Sequence, residues 1–223
     1  MLDPAKSMKG NFQLGLGLKF PTGAYKATDN FYNVGAGGTS QIRPVDQSIQ
    51  PGDGGFGMIS ELNGFFNFSN HFGSYANLFY LVNPREQNGT RTYREMLSSK
   101  LANEAIMSVP DQYLIRMGLS YDFVGKLDKL SLEAGGRMEG IPVYDLIGGS
   151  EGFRRPGYVI SVEPGIRYRF NKLILISSIP FAVSRNRTQS VTDKENSVIQ
   201  NTFVNGDAAF ADHSLNIALA YRF

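Results

Sequence analysis

Charged side chains recur at even spacings in several stretches of this 223-residue chain. Glu133, Arg137 and Glu139 share one parity, Glu163 and Arg167 repeat it, and Arg116 and Asp122 lie six residues apart. Residues two apart on a strand share a face, so the spacing predicts rows of mixed charge on one side of a sheet. Such rows can do two kinds of work. They can pair with one another and rigidify an interior, or they can line a watery passage and tune which solutes cross it. The residues leave both alternatives open. Other constellations are weaker. His71 follows Ser69 and Asn70 and reads as a turn residue. His213 precedes Ser214, but neighbours on a strand point to opposite faces, so the two cannot make a nucleophile–base contact. Asp29 and Asp53 lie near the glycine-rich stretches 35–38 and 51–55 without the ligand spacing of a calcium loop. No Lys and helix follow those glycines to make a phosphate loop. The chain has no cysteine. No catalytic residue, metal site or cofactor is expected. A net charge of +2 without a basic cluster gives no nucleic-acid footprint.

The elements that must carry these charges are long alternating strands. Phe12, Leu14, Leu16, Leu18 and Phe20 alternate with Asn11, Gln13, Gly15, Gly17 and Lys19. A helix would scatter these apolar residues around its surface, so the period of two predicts a strand. Seven further segments follow, around residues 56–68, 72–82, 113–123, 130–139, 158–170, 173–185 and 215–223. The seventh is apolar on both faces. The predicted class is all-β, an antiparallel up-and-down transmembrane β-barrel of about 8 strands, forming one domain over residues 1–223. The segments run to about 11–14 residues, whereas a tilted strand needs about 9–11 to cross a bilayer and soluble strands average about 5–6. With the apolar face on lipid, the lumen-lining set is Gln13, Lys19, Glu61, Asn63, Asn77, Arg116, Asp122, Glu133, Arg137, Glu139, Glu163, Arg167 and Asn216.

Two patterns favour a membrane over a soluble sandwich or a lipocalin-like binder. Short links after the second, fourth and sixth segments alternate with long ones at 21–55, 83–111, 142–156 and 186–212. This is the asymmetry of periplasmic turns and extracellular loops, and it puts both termini on the periplasmic side. The aromatics gather at strand ends: Phe68, Phe72, Tyr121, Phe123, Tyr168, Phe170, Tyr221 and Phe223 at one end, Tyr80, Tyr113 and Tyr158 at the other. Rings prefer the headgroup boundary, so these read as two girdles. Within the second long loop, Tyr93, Met96, Leu97, Leu101 and Ala105 repeat at helical spacing, and 90–107 reads either as a short helix capping or entering the barrel mouth or as a mobile surface loop. Residues 1–10 show no apolar core of a secretory signal.

Three motifs carry a family resemblance: Gly15-Leu16-Gly17-Leu18-Lys19-Phe20-Pro21-Thr22-Gly23, Asp53-Gly54-Gly55-Phe56-Gly57 and Tyr75-Ala76-Asn77-Leu78-Phe79-Tyr80-Leu81. They resemble the outer-membrane barrel family named for phenol-degradation meta-pathway proteins, which are transporter-like barrels. A terminal Phe223 closing an alternating strand is similar to the C-terminal signature read by the barrel-assembly machinery. The resemblance implies the outer membrane of a Gram-negative bacterium, outer-membrane lipid as a partner and porin-like passage of small solutes, hydrophobic ones included. It also implies a longer protein, with a signal peptide and further strands ahead of Gly15, in a barrel of about 12. The alternative expectation is a structural or adhesive barrel with a plugged lumen and partner-binding loops.

Overall fold

The computed structural model describes residues 9–92, 99–208 and 210–221. Its strands are β1 (Gly10–Lys19), β2 (Thr28–Phe31), β3 (Gln41–Pro44), β4 (Gly57–Asn67), β5 (Phe72–Val82), β6 (Gln87–Arg91), β7 (Ile106–Ser108), β8 (Gln112–Asp122), β9 (Leu130–Ile141), β10 (Gly157–Phe170), β11 (Leu173–Ser178), β12 (Phe181–Arg187) and β13 (Asn216–Tyr221). One α-helix, α1 (Val191–Gln200), precedes β13. The principal sheet is antiparallel, in the order β1-β4-β5-β8-β9-β10-β11-β13, with β12 also paired to β10. Seven of its eight staves match expected segments and the eighth, β11, is the first half of the segment expected at 173–185; the sheet is curled into a half-barrel.

The period-2 pattern sets the register. Leu14, Leu62, Leu78, Ile115, Met138 and Ile160 pair in turn across six staves and form one row on the convex side. The adjacent row, Gln13, Asn63, Asn77, Arg116, Arg137 and Ser161, faces the concave side. A slip of one residue on any stave would exchange the two rows, so each cross-strand pair reinforces the next. The link between β10 and β11 is Asn171 and Lys172, with Asn171 at φ +47°. Asparagine tolerates that left-handed conformation better than most residues.

Burial is inverted relative to a water-soluble domain. Leu16 is 81% exposed and Phe12 74%, whereas Glu163 is 1% exposed. Among the described residues the buried hydrophobic side chains are Leu81, Met107, Val109, Phe153, Ile174 and Ile176. Most of the large apolar side chains of the staves face out, and the ionisable ones face in.

The structure departs from expectation in three places. The sheet is not a closed barrel among the described residues: β1 pairs only with β4 and β13 only with β11, so both outer edges are open. The seventh segment is two strands, broken at Ile179–Pro180, because proline lacks the donor a continuous ladder needs. β12 then pairs with β10 across a bulge in which Ile160 faces Ser184 and Ser161 faces Ala182. In the described part of this stretch, residues 90–92 and 99–107, there is no α-helix. Instead β6 and β7 form a hairpin that supports a 3-10 turn over Ser99–Glu104, while Tyr93, Met96 and Leu97 lie outside the described residues. The helix sits in the last long link. Ser190 accepts a hydrogen bond from the Asp193 backbone N–H while the Asp193 carboxylate accepts one from the Ser190 backbone N–H, a capping box that satisfies two otherwise orphaned donors. No helix among the described residues is long and apolar enough to cross a membrane.

Candidate functional site

The concave face brings six charged residues from three strands into one network. β8 contributes Arg116 and Asp122, β9 contributes Glu133 and Arg137, and β10 contributes Glu163 and Arg167. Arg116 Nε donates to Glu163 Oε2 at 2.7 Å, and its Nη2 lies 3.6 Å from Glu133 Oε2. Arg167 bridges Asp122 at 3.2 Å and Glu133 at 3.6 Å. Arg137 pairs with Glu139 and reaches Glu163 at 3.9 Å. Ser178 donates to Glu163 and Ser131 to Asp122. Guanidinium and carboxylate groups so deeply buried persist only when paired, because one left alone in a low-dielectric interior is very costly. Some donors nonetheless stay unmade: Arg116 Nη2, Arg137 Nε, Arg167 Nε and the Tyr75 hydroxyl are buried without a hydrogen-bond partner.

Tyr75 crosses this network because two glycines make room for it. Gly118 and Gly135 face each other across β8 and β9. A Cβ on either would come within 2.6 Å of the Tyr75 hydroxyl oxygen. The ring lies over the Arg116 guanidinium, 4.8 Å from centroid to Cζ, within the range of a cation–π contact. Tyr75 shares the odd parity of Asn77 on β5 and so faces the concave side, unlike the even-numbered Leu78 and Tyr80.

The expected lumen residues share the concave side but not one cluster. Glu61, Asn63 and Asn77 form a separate polar knot in which the two amides donate to Glu61 and Asn77 also donates to Asn63. Lys19 pairs with Asp53 at 2.6 Å. Gln13 is exposed on the edge strand rather than buried in an interior. Asn216 faces Ser178, with its Nδ2 unpartnered. The space left beside the network, between Asn63, Tyr75, Arg116 and Glu133, is about 30 Å³, enough for about one water.

The aromatics expected as girdles fall into rows. Tyr80 pairs with Tyr113, and both Tyr113 and Tyr158 pair with Gly140, so the three rings occupy one register row near the long-loop end. At the short-turn end Phe72 meets Tyr121 edge-on at 5.0 Å, Tyr121 meets Phe123 at 5.0 Å and Tyr168 meets Phe170 at 4.4 Å. Phe68, Phe170 and Tyr221 are exposed; Phe223 lies outside the described residues.

A second centre, unforeseen from sequence, organises the long-loop end. Arg154 and Asp145 form a bidentate pair at 2.9 and 2.7 Å, both side chains 0% exposed. Arg154 Nε also donates to the Ser108 hydroxyl. Asp111 accepts from the Asn83 N–H, the Leu146 N–H and the Tyr80 hydroxyl. Around these polar groups Met107, Val109 and Phe153 make a small dry core, tied together by a parallel bridge between Met107 and Phe153. Arg154 and Asp145 lie nine positions apart in one loop; the other partners are 28 to 46 positions apart, and no local pattern joins them.

Over this core opens a cavity of about 570 Å³ at the loop end of the concave face. Lys19, Phe20, Pro21, Thr22 and Gly23 all line it, beside Gln47, Gln112 and Arg155. Gly23 and Gly52 let two loop backbones cross: a Cβ on Gly52 would fall 2.6 Å from the Gly23 carbonyl oxygen. Across the cavity Arg155 clasps Asp46 at 2.8 Å. Partial burial works against the Asp46 carboxylate, but hydrogen bonds from Arg155 and Ser48 overcome it and hold the carboxyl below its usual range. Among the described residues no group of three or more His, Cys, Asp or Glu gathers to hold a metal ion. Asp53, weighed as a calcium ligand, is engaged by Lys19 and by the Gly55 N–H instead. Comparison with protein-family models, with curated proteins and with solved structures finds no match to this chain.

Proposed function

We propose that this chain forms lipid-facing wall of a Gram-negative outer-membrane β-barrel through which small solutes pass. The inverted burial carries the reading: an apolar convex face paired row by row with a concave face of buried ion pairs. A soluble lipocalin-like binder needs the reverse, apolar inside and polar outside. The spacing of the ring rows agrees. Phe72 and Tyr80 are eight residues apart on β5, about 27 Å along an extended strand, close to the apolar band of about 25 Å in barrels of this class once tilt is allowed for. Two open edges also suit a larger barrel of about 12 strands, since β1 and β13 run in opposite directions and each can accept an antiparallel neighbour. The cavity at the loop end supplies a vestibule with both apolar walls (Phe20, Ile141) and polar ones (Gln47, Gln112). That mixture suits small organic solutes and agrees with what the family resemblance implies.

One observation favours a second reading. The network of Arg116, Glu133, Glu163 and Arg167 leaves almost no space beside it, as expected of a structural barrel with a plugged lumen. Conductance separates the two. Protein folded into planar bilayers is expected to give solute-dependent currents; a folded, heat-modifiable species that never conducts favours the plugged barrel. A protein that stays monomeric in water without detergent defeats both.

A further inference from the structure

Three asparagines in this chain are followed directly by glycine: Asn63, Asn88 and Asn205. The dipeptide is chemically labile. The backbone nitrogen of the glycine has no neighbouring Cβ to shield it, so it can attack the side-chain amide carbon of the asparagine before it. The fold decides whether the two atoms meet.

At two of the three sites the fold forbids it. Asn63 lies mid-strand in β4, and Gly64 pairs with Phe12 on one side and Ala76 on the other. Asn63 Nδ2 donates to Glu61 at 3.0 Å and its Oδ1 accepts from Asn77 at 2.7 Å. Closing a ring there would need a backbone rotation that tears β4 from both neighbours. Asn88 is 4% exposed. Its Nδ2 donates to the Asp53 carbonyl at 2.9 Å and its Oδ1 accepts from the Thr90 N–H at 2.7 Å, so both ends of the amide are held and water is kept away.

Asn205 differs on each count. It and Gly206 are exposed, in the irregular stretch between α1 and β13. Among the described residues its side chain makes one hydrogen bond, from Nδ2 to the Arg187 carbonyl at 3.2 Å. Packing also keeps residue 206 a glycine. A Cβ there would fall 2.8 Å from Arg187 Nη2, and that guanidinium is tied in place by Asp193 and the Pro156 carbonyl. We propose that Asn205 is a site of spontaneous deamidation, and that the reaction unties this stretch from the end of β12. The Gly206 nitrogen gives its proton to hydroxide and bonds to Asn205 Cγ. The bond from Cγ to Nδ2 breaks, and ammonia leaves with a proton taken from water. A second water opens the cyclic imide at either carbonyl, giving aspartate or isoaspartate. The net change is amide plus water to carboxylate plus ammonium, with no oxidant or reductant. A carboxylate only accepts hydrogen bonds, so the bond to the Arg187 carbonyl is replaced by two oxygens that repel. The change is one-way, and it holds whether the lumen conducts or is plugged.

The test follows the whole chain, folded in detergent micelles and held in mildly alkaline buffer, by peptide mass spectrometry. The peptide carrying Asn205 is expected to take the mass of the acid and to split into aspartate and isoaspartate forms. Conversion at Asn63 and Asn88 needs local opening first and is expected to be at least about tenfold slower. Similar rates at all three sites in denaturant would show that the fold makes the selection. Asn205→Gln keeps the donor on a longer side chain that closes a ring far more slowly, and is expected to abolish the conversion. Asn205→Asp, the reaction product, is expected to show faster amide exchange over residues 201–206 with the staves unchanged. Equal rates at the three sites in the folded chain, or no conversion at Asn205 while the unfolded chain converts, overturn the site. Exchange in Asn205→Asp as slow as in the parent overturns the untying.

Discussion

At the scale of single residues, Glu163 is the hinge of the concave face, because Arg116, Arg137 and Ser178 all turn to it. Removing it strands a buried guanidinium. Glu163→Ala is expected to cost about 3–5 kcal/mol, read as a fall in the temperature at which the heat-modified gel band appears. Replacing both members, as Arg116→Met with Glu163→Leu, is expected to cost much less, since no charge is left alone. The clasp between Asp46 and Arg155 gives a pH dependence. The Asp46 carboxyl titrates below its unfolded value of about 3.9, so its contribution is complete above that pH and is lost as pH falls through the lower folded value. Limited proteolysis of the 21–55 loop is expected to be slow at pH 5 and to quicken well below pH 4. Asp46→Asn should remove that transition; an unchanged profile in the variant would place its cause elsewhere. The charged residues were legible in the sequence, because strand parity alone fixes which side they take. Their pairings were not, since Arg116 and Glu163 lie 47 positions apart and become neighbours only when three strands are in register.

At the scale of elements, the strands were legible and the loops were not. Period-2 alternation over a whole stave is a long signal that no helix mimics, so seven staves were expected almost as they stand. The seventh was misread as one strand because Pro180 interrupts a run that is apolar on both faces. The helix weighed at 90–107 rested on spacing alone, whereas α1 carries a start signal, Ser190 three residues ahead of Asp193, that spacing does not reveal. Ser190→Ala is expected to destabilise α1 by about 1 kcal/mol, visible as faster amide exchange over Val191–Gln200 with no change in the staves. The glycine pair under Tyr75 acts on the sheet itself. A Cβ on Gly135 would stand 2.3 Å from the Met117 carbonyl oxygen and one on Gly118 2.5 Å from that of Ala134. Neither can be relieved by a side-chain rotation. Gly135→Ala is therefore expected to part β8 from β9 and lower the yield of folded protein several-fold on refolding into micelles. Tyr75→Phe keeps the ring and should fold as the parent does.

At the scale of the whole molecule, the convex face sets the solvent. Leu16→Arg and Leu62→Arg place a charge on the same apolar surface, and in a bilayer each is expected to cost up to about 2–4 kcal/mol near mid-depth and less toward either boundary. Folding yield into phosphatidylcholine vesicles measures this, and a gain in yield on adding either charge would contradict lipid contact. The open edges have a consequence of a different kind. A ten-residue strand such as β1 turns about half of its backbone donors and acceptors away from its one neighbour, roughly ten groups in all. In hydrocarbon each unmade group costs several kcal/mol, so one bare edge amounts to tens of kcal/mol, more than any ion pair on the concave face returns. In lipid, the closing of this seam and the insertion of the sheet are then one cooperative event. Mutations that weaken the pairing of β1 or β13 should act on the rate of assembly before they touch the lumen or the loops.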